Sequence, residues 1–237
     1  MVILLHFLAA GGYFAAGRRA AFFWPAAALH AATLAAHYRA EPRFDFGVSL
    51  SAFMLLTAAV GWKQTRPPLS QPALLALAGF SVFAPLLFFA PKAPPPPAAL
   101  AHIVPAMLAY AFAVLAMLQS MDLWRAEWAQ RRLAAAAATP LLTLESACFR
   151  TLARAFILLS LTLLSGWLAG GENGAPSHKI IFAALTWLAF GGLLCGRYFW
   201  GWRGRVARWW LAAGLLFFVL SYFGTHFILQ VILNRPA

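Results

Sequence analysis

The chain has 237 residues, 63% of them hydrophobic and 10% charged, with a mean hydropathy of +0.76. Soluble domains are about 25% charged, so 18 basic and 6 acidic side chains exclude a water-soluble globular domain, and the apolar excess excludes disorder. Unbroken apolar runs of helix length exclude a membrane β-barrel, and the net charge of +12 fits a basic membrane protein better than a nucleic-acid binder.

A spanning helix needs about 20 apolar residues. Eight such runs follow one another, near Val2–Ala16, Ala21–Tyr38, Phe46–Trp62, Ala73–Ala90, Ala99–Met121, Leu152–Ala169, Ile180–Gly196 and Trp209–Leu229. The expected fold is therefore all-α: a polytopic membrane helix bundle of about eight transmembrane helices, forming one domain over residues 1–237. The first run lacks a basic segment before it and is followed by Arg18 and Arg19, so it reads as a retained span and not a cleaved signal. Thirteen of the 18 Lys and Arg residues fall in one set of connections and five (Arg39, Arg43, Lys92, Lys179 and Arg235) in the other. The positive-inside rule makes the richer set cytoplasmic and both termini external. Pro94–Pro97 reads as a stiff outer spacer. Residues Trp124–Arg150 read as a long inner connection with an amphipathic helix, ending in the alanine run Ala134–Ala138.

All six acids, Glu41, Asp45, Asp122, Glu127, Glu145 and Glu172, are expected in loops or at helix ends. A buried carboxylate of the kind proton-coupled pumps use is thus missing from the span centres. The six histidines, His6, His30, His37, His102, His178 and His226, all fall toward the outer side. Imidazole is a common ligand of metals and of haem iron. A single histidine within a span ordinarily hydrogen-bonds a neighbouring helix, the expected role of His6 and His30, whereas His37 and His226 read as interfacial. His102 stands apart because Pro105, one turn on, leaves the Ala101 carbonyl without its helical donor. No HExxH or HxxxH pair, CxxC or GxSxG is present, and Cys148 and Cys195 stand alone, which leaves zinc and nucleophilic chemistry without a local signature. The glycine pairs Gly11-Gly12 and Gly191-Gly192 suit close helix packing. Eight of the ten tryptophans crowd the inner side as an aromatic belt, and Trp167 is the outer exception, for which an interfacial belt position is the first reading and stacking on a cofactor the second.

The segments PLLTLESACFR, SHKIIFAALTWLAFGGLLCGR, GWRGRVARWW and SYFGTHFILQVIL follow at short spacing. Together they resemble the membrane-bound cytochrome c assembly family, with its CcsA-, CcmC- and HemX-like proteins, and within it a small eight-span branch. The resemblance implies non-covalent, b-type haem held at the outer face of a bacterial inner membrane by two histidines, and by position these are His102 and His178. It implies further that cytochrome c maturation proteins are partners. Beside it, Lys179 and Arg39, with Lys92 as another, are the nearest cations in sequence for the propionates, Trp167 is the candidate to stack on the ring, and composition and charge leave the lipid bilayer as solvent with no nucleic acid involved. The tryptophan-rich outer loop of better-known members has no counterpart, since Trp200 and Trp202 fall in an inner loop. The expected role is haem handling without bond-making, hence no enzyme. The alternatives are a HemX-like regulator or scaffold acting on a cytoplasmic partner, and a small-molecule transporter.

Overall fold

The computed structural model describes residues 2–40, 45–65, 69–88, 100–133, 141–168 and 178–221. These form helices and turns, with no strand among the described residues. Among the described residues nine α-helices follow in chain order: α1 Val2–Ala16, α2 Phe23–Ala40, α3 Phe46–Gly61, α4 Ser70–Ser81, α5 Ala84–Leu87, α6 Leu100–Leu133, α7 Leu141–Leu168, α8 His178–Trp200 and α9 Gly204–Val219. Four stretches among the described residues are long and apolar enough to cross a bilayer: Ser70–Leu87, Ala101–Arg131, Leu141–Leu168 and Lys179–Trp200. Ile3–Ala16 and Phe46–Gly61 are shorter apolar helices. The chain is a multi-pass helical membrane protein.

The helices fall into two compact units. In the first, α1 and α2 form an antiparallel hairpin through a turn at Gly17–Arg19 and a short 3-10 helix at Ala20–Phe22. Their backbones approach closely: a Cβ on Gly12 would sit 2.8 Å from that of Ala26. Asp45 caps α3, its carboxylate accepting the Val48 N–H at 2.9 Å. Gly47 then lies so near α5 that a Cβ there would be 2.4 Å from the Ala84 carbonyl oxygen, which only glycine permits. The apolar run expected as one helix near Ala73–Ala90 is two, because the chain turns at 82–83 and Pro85, which has no N–H to donate, opens α5.

The second unit contains α6 to α9. Here the expected boundaries need correction. The apolar run near Ala99–Met121 and the amphipathic helix expected after it form one continuous helix, α6, to Leu133, whereas α7 begins at Leu141, ahead of the span expected from near Leu152. Most of the expected inner connection is therefore helix, with 134–140, including the alanine run, outside the described residues. Ion pairs account for this extension. Glu127 of α6 accepts from Arg208 of α9 at 2.9 Å. Glu145, expected at a helix end, is a buried residue of α7 and takes Arg197 at 2.7 Å as well as a bidentate contact from Arg203. The Glu145 hydrogen bonds hold the Arg203 guanidinium above its ordinary pKa. Between α8 and α9 the chain reverses through Gly201 and Gly204, both at positive φ.

Candidate functional site: a histidine cleft at the helix ends

Three helix ends of the second unit build one cleft. Helix α6 starts beside it with His102, α7 finishes there with Ser165, Gly166 and Trp167, and α8 starts there with His178 and Lys179. The cleft has a volume of about 380 Å³ and is mostly apolar, walled by Ala106, Leu159, Leu163, Ile180 and Ala183. At its base the Tyr110 ring stacks on Phe218 with centroids 3.6 Å apart, and the Tyr110 hydroxyl donates to the Phe218 carbonyl at 2.7 Å. This joins α6 to α9 and closes the apolar wall.

The polar groups are few and separate. His102 is exposed at the cleft, and its Nδ1 lies 3.2 Å from the Ser165 hydroxyl. That hydroxyl donates its one proton to the Thr162 carbonyl at 3.0 Å. With that proton on the carbonyl, its lone pairs can accept from His102 Nδ1–H, the tautomer in which Nε2 carries the free pair. A hydrogen bond on one ring nitrogen that fixes the other as ligand is the arrangement metal-binding histidines use. The ring also packs against the backbone at Gly166, where a Cβ would meet Cε1 at 3.2 Å. Lys179 contributes the cleft's only cation among the described residues, with Thr162 and Ser221 adding hydroxyls.

Of the residues singled out in the sequence, His102, Trp167 and Lys179 line this one cleft. Trp167 is 75% exposed and stands at the mouth of the cleft. The backbone of His178 is the first residue of α8, directly before Lys179, and its side chain lies outside the described residues. Arg39 is exposed near the end of α2 in the first unit and is not among the cleft's lining residues. Lys92 and His226 lie outside the described residues. Ser165, Gly166, Tyr110 and Phe218 were not singled out. The adjacent Ser-Gly-Trp at the end of a span was a usable signal for the first two, while the stacked pair is 108 residues apart in sequence and had none.

The donor set suits haem. The walls are apolar, one imidazole has its ligating nitrogen set by a hydrogen bond, an aromatic ring stands at the mouth, and a cation is available for a carboxylate. No group of three or more His, Cys, Asp or Glu able to hold a bare metal ion occurs among the described residues.

A second histidine cluster lies in the first unit. His6 and His30 are both 0% exposed. His6 Nε2 and His37 Nε2 are 3.1 Å apart across the α1–α2 hairpin. Two turns along, the Tyr13 hydroxyl is 3.2 Å from His30 Nδ1, and His30 Nε2 is 2.8 Å from the Ser51 hydroxyl of α3. These are the helix-to-helix hydrogen bonds expected of His6 and His30. His37, expected to be merely interfacial, shares the first of them.

Comparison with known proteins agrees with this architecture. The inner membrane protein YpjD of Escherichia coli strain K12 is 30% identical over 144 residues, covering 57% of this chain and 54% of that protein. YpjD of the O6:H1 and O157:H7 strains matches to the same extent. The chain thus matches about half the length of these curated relatives. No solved structure matches it. The cytochrome C assembly protein family matches across residues 21–233, which takes in every helix from α2 onward and the whole of the cleft. On that match, the chain belongs to the cytochrome c assembly protein family.

Proposed function

We propose that this chain is a haem-binding, multi-pass protein of a bacterial inner membrane that serves cytochrome c assembly, with the cleft of α6–α9 as its haem site. In this reading His102, through Nε2, and His178 would hold the iron, the Tyr110–Phe218 wall and Trp167 would shield the ring from water, and Lys179 would pair with a carboxylate of the cofactor. The haem is non-covalent, because the chain has no CxxCH attachment motif. The chain's own residues bind, orient and shield; they make and break no covalent bond, so the protein acts as a carrier or presenter and not as an enzyme. The observation that carries the reading is the His102–Ser165–Thr162 hydrogen-bond chain, which leaves a ligating nitrogen at an apolar cleft beside a lysine. Family membership and the inner-membrane location of the YpjD relatives support it.

The test is the visible spectrum of protein purified in mild detergent. A Soret band is expected, shifting and weakening in His102→Ala and again in His178→Ala. A colourless protein that takes up no added haemin overturns the reading and favours the regulatory scaffold.

A further inference from the structure

At the other end of α1 from His6, the first unit presents cations with no countercharge. Arg18 and Arg19 stand in the turn between α1 and α2, both exposed, and neither forms an ion pair with a described residue. The first forty residues contain no Asp or Glu. Asp45 is the one acid in the first unit's described residues, and it is buried as the cap of α3. Helices α2 and α3 are antiparallel neighbours, and the Phe23 ring stacks on Trp62 with centroids 4.2 Å apart and planes at 1°. That stack places the exposed Lys63 at the same end of the unit as the arginine pair. Exposed Trp24 and Phe22 stand beside the turn.

A groove runs from this cationic end along α1. A cavity of about 640 Å³ is bounded by Gly11, Phe14, Ala15, Arg18, Arg19 and Phe22. Gly11 and Ala15 lie one turn apart on the same helix face, and a Cβ built on Gly11 meets no atom within 4 Å. Phe14 and Phe22 flank the groove with half-exposed rings. It is thus lined by apolar groups along an apolar helix, and doubly cationic at its end roughly 10 Å away. A free inorganic anion would use only the arginines and leave the groove unfilled. A neutral lipid would fill the groove and leave the charge unmet.

We propose that the α1–α2 turn is a binding site for an anionic phospholipid, with the phosphate between Arg18 and Arg19 and one acyl chain along the Gly11–Ala15 face between Phe14 and Phe22. Guanidinium–phosphate pairing supplies the headgroup specificity, and basic pockets at helix ends are where membrane proteins hold anionic headgroups.

The test uses the full chain in detergent, with added phosphatidylglycerol, phosphatidylcholine or inorganic phosphate, read by native mass spectrometry and thermal unfolding. The expected result is retained phosphatidylglycerol and a raised Tm, with no comparable effect of phosphatidylcholine or phosphate. Two variants act on different halves of the site. Arg18→Gln with Arg19→Gln removes the headgroup contact, and Gly11→Leu fills a space that is open, so it blocks the chain groove without crowding a neighbour. Each should lower phosphatidylglycerol retention at least tenfold while haemin uptake at the cleft stays as in the parent. Equal retention of phosphatidylcholine, equal stabilisation by inorganic phosphate, or phosphatidylglycerol retention unchanged in both variants overturns the proposal.

Discussion

His102 and Ser165 are joined by a 3.2 Å hydrogen bond that ties the start of α6 to the end of α7. Since the serine proton is committed to Thr162, this bond selects one tautomer of the imidazole. Ser165→Ala should therefore weaken haemin binding by about tenfold, the size of effect typical when a ligand histidine loses its hydrogen-bond partner. Ser165→Thr, which keeps the hydroxyl, should restore most of it. A haemin titration followed at the Soret band measures both. Equal affinity in the alanine variant would show that the serine does not orient His102.

Gly166 sets how closely the His102 ring can lie on α7. A Cβ there would be 3.2 Å from Cε1, so the ring must yield by a few tenths of an ångström for alanine and by more for a branched side chain. Gly166→Ala should shift the spectrum slightly, and Gly166→Val should lose most haemin binding while the helix content stays that of the parent. Circular dichroism alongside the haemin titration separates the two effects.

The Tyr13–His30–Ser51 chain is fully buried, so removing one member leaves a polar partner unmatched. Tyr13→Phe and Ser51→Ala should each destabilise the protein by about 1–3 kcal/mol, seen as a lower unfolding temperature, with haemin affinity at the α6–α9 cleft unchanged. A loss of haemin binding in these variants would mean that the cluster takes part in haem handling itself.

Glu145 holds Arg197 and Arg203 together at the turn between α8 and α9. Glu145→Gln keeps the shape and removes the charge. It should lower the unfolding temperature by several degrees and speed proteolytic cutting within 201–204, since that turn then loses its anchor. Arg203→Lys should fall between the two, because an ammonium cannot reproduce the bidentate contact.

Much of this architecture was legible in hydropathy. The apolar stretches locate the helices because lipid forces backbone groups to pair within each one, and the placement of His102, Trp167 and Lys179 near helix ends followed from them. Helix limits are least legible where charge interrupts the apolar run. Glu127 lies inside α6 and Glu145 in the second turn of α7, matched by arginines 81 and 58 residues away, and no local pattern reveals such partners. Pro85 marks the break between α4 and α5, but as a local signal it is weak, because membrane helices tolerate proline. The helix-to-helix role of His6 and His30 was legible, and their partners were signalled too: His6 and Tyr13 on one run, and His30 and His37 on the next, share a seven-residue spacing that suits two antiparallel helices.

That shared spacing has a consequence for biogenesis. Since His6 meets His37 and Tyr13 meets His30 in one alignment, sliding α1 along α2 by a single turn uncouples both pairs together and loses two interhelical hydrogen bonds at once. Misaligned hairpins are thereby penalised twice over. The two N-terminal helices can thus find their mutual offset as they leave the insertion machinery, before any later segment has been synthesised to guide them.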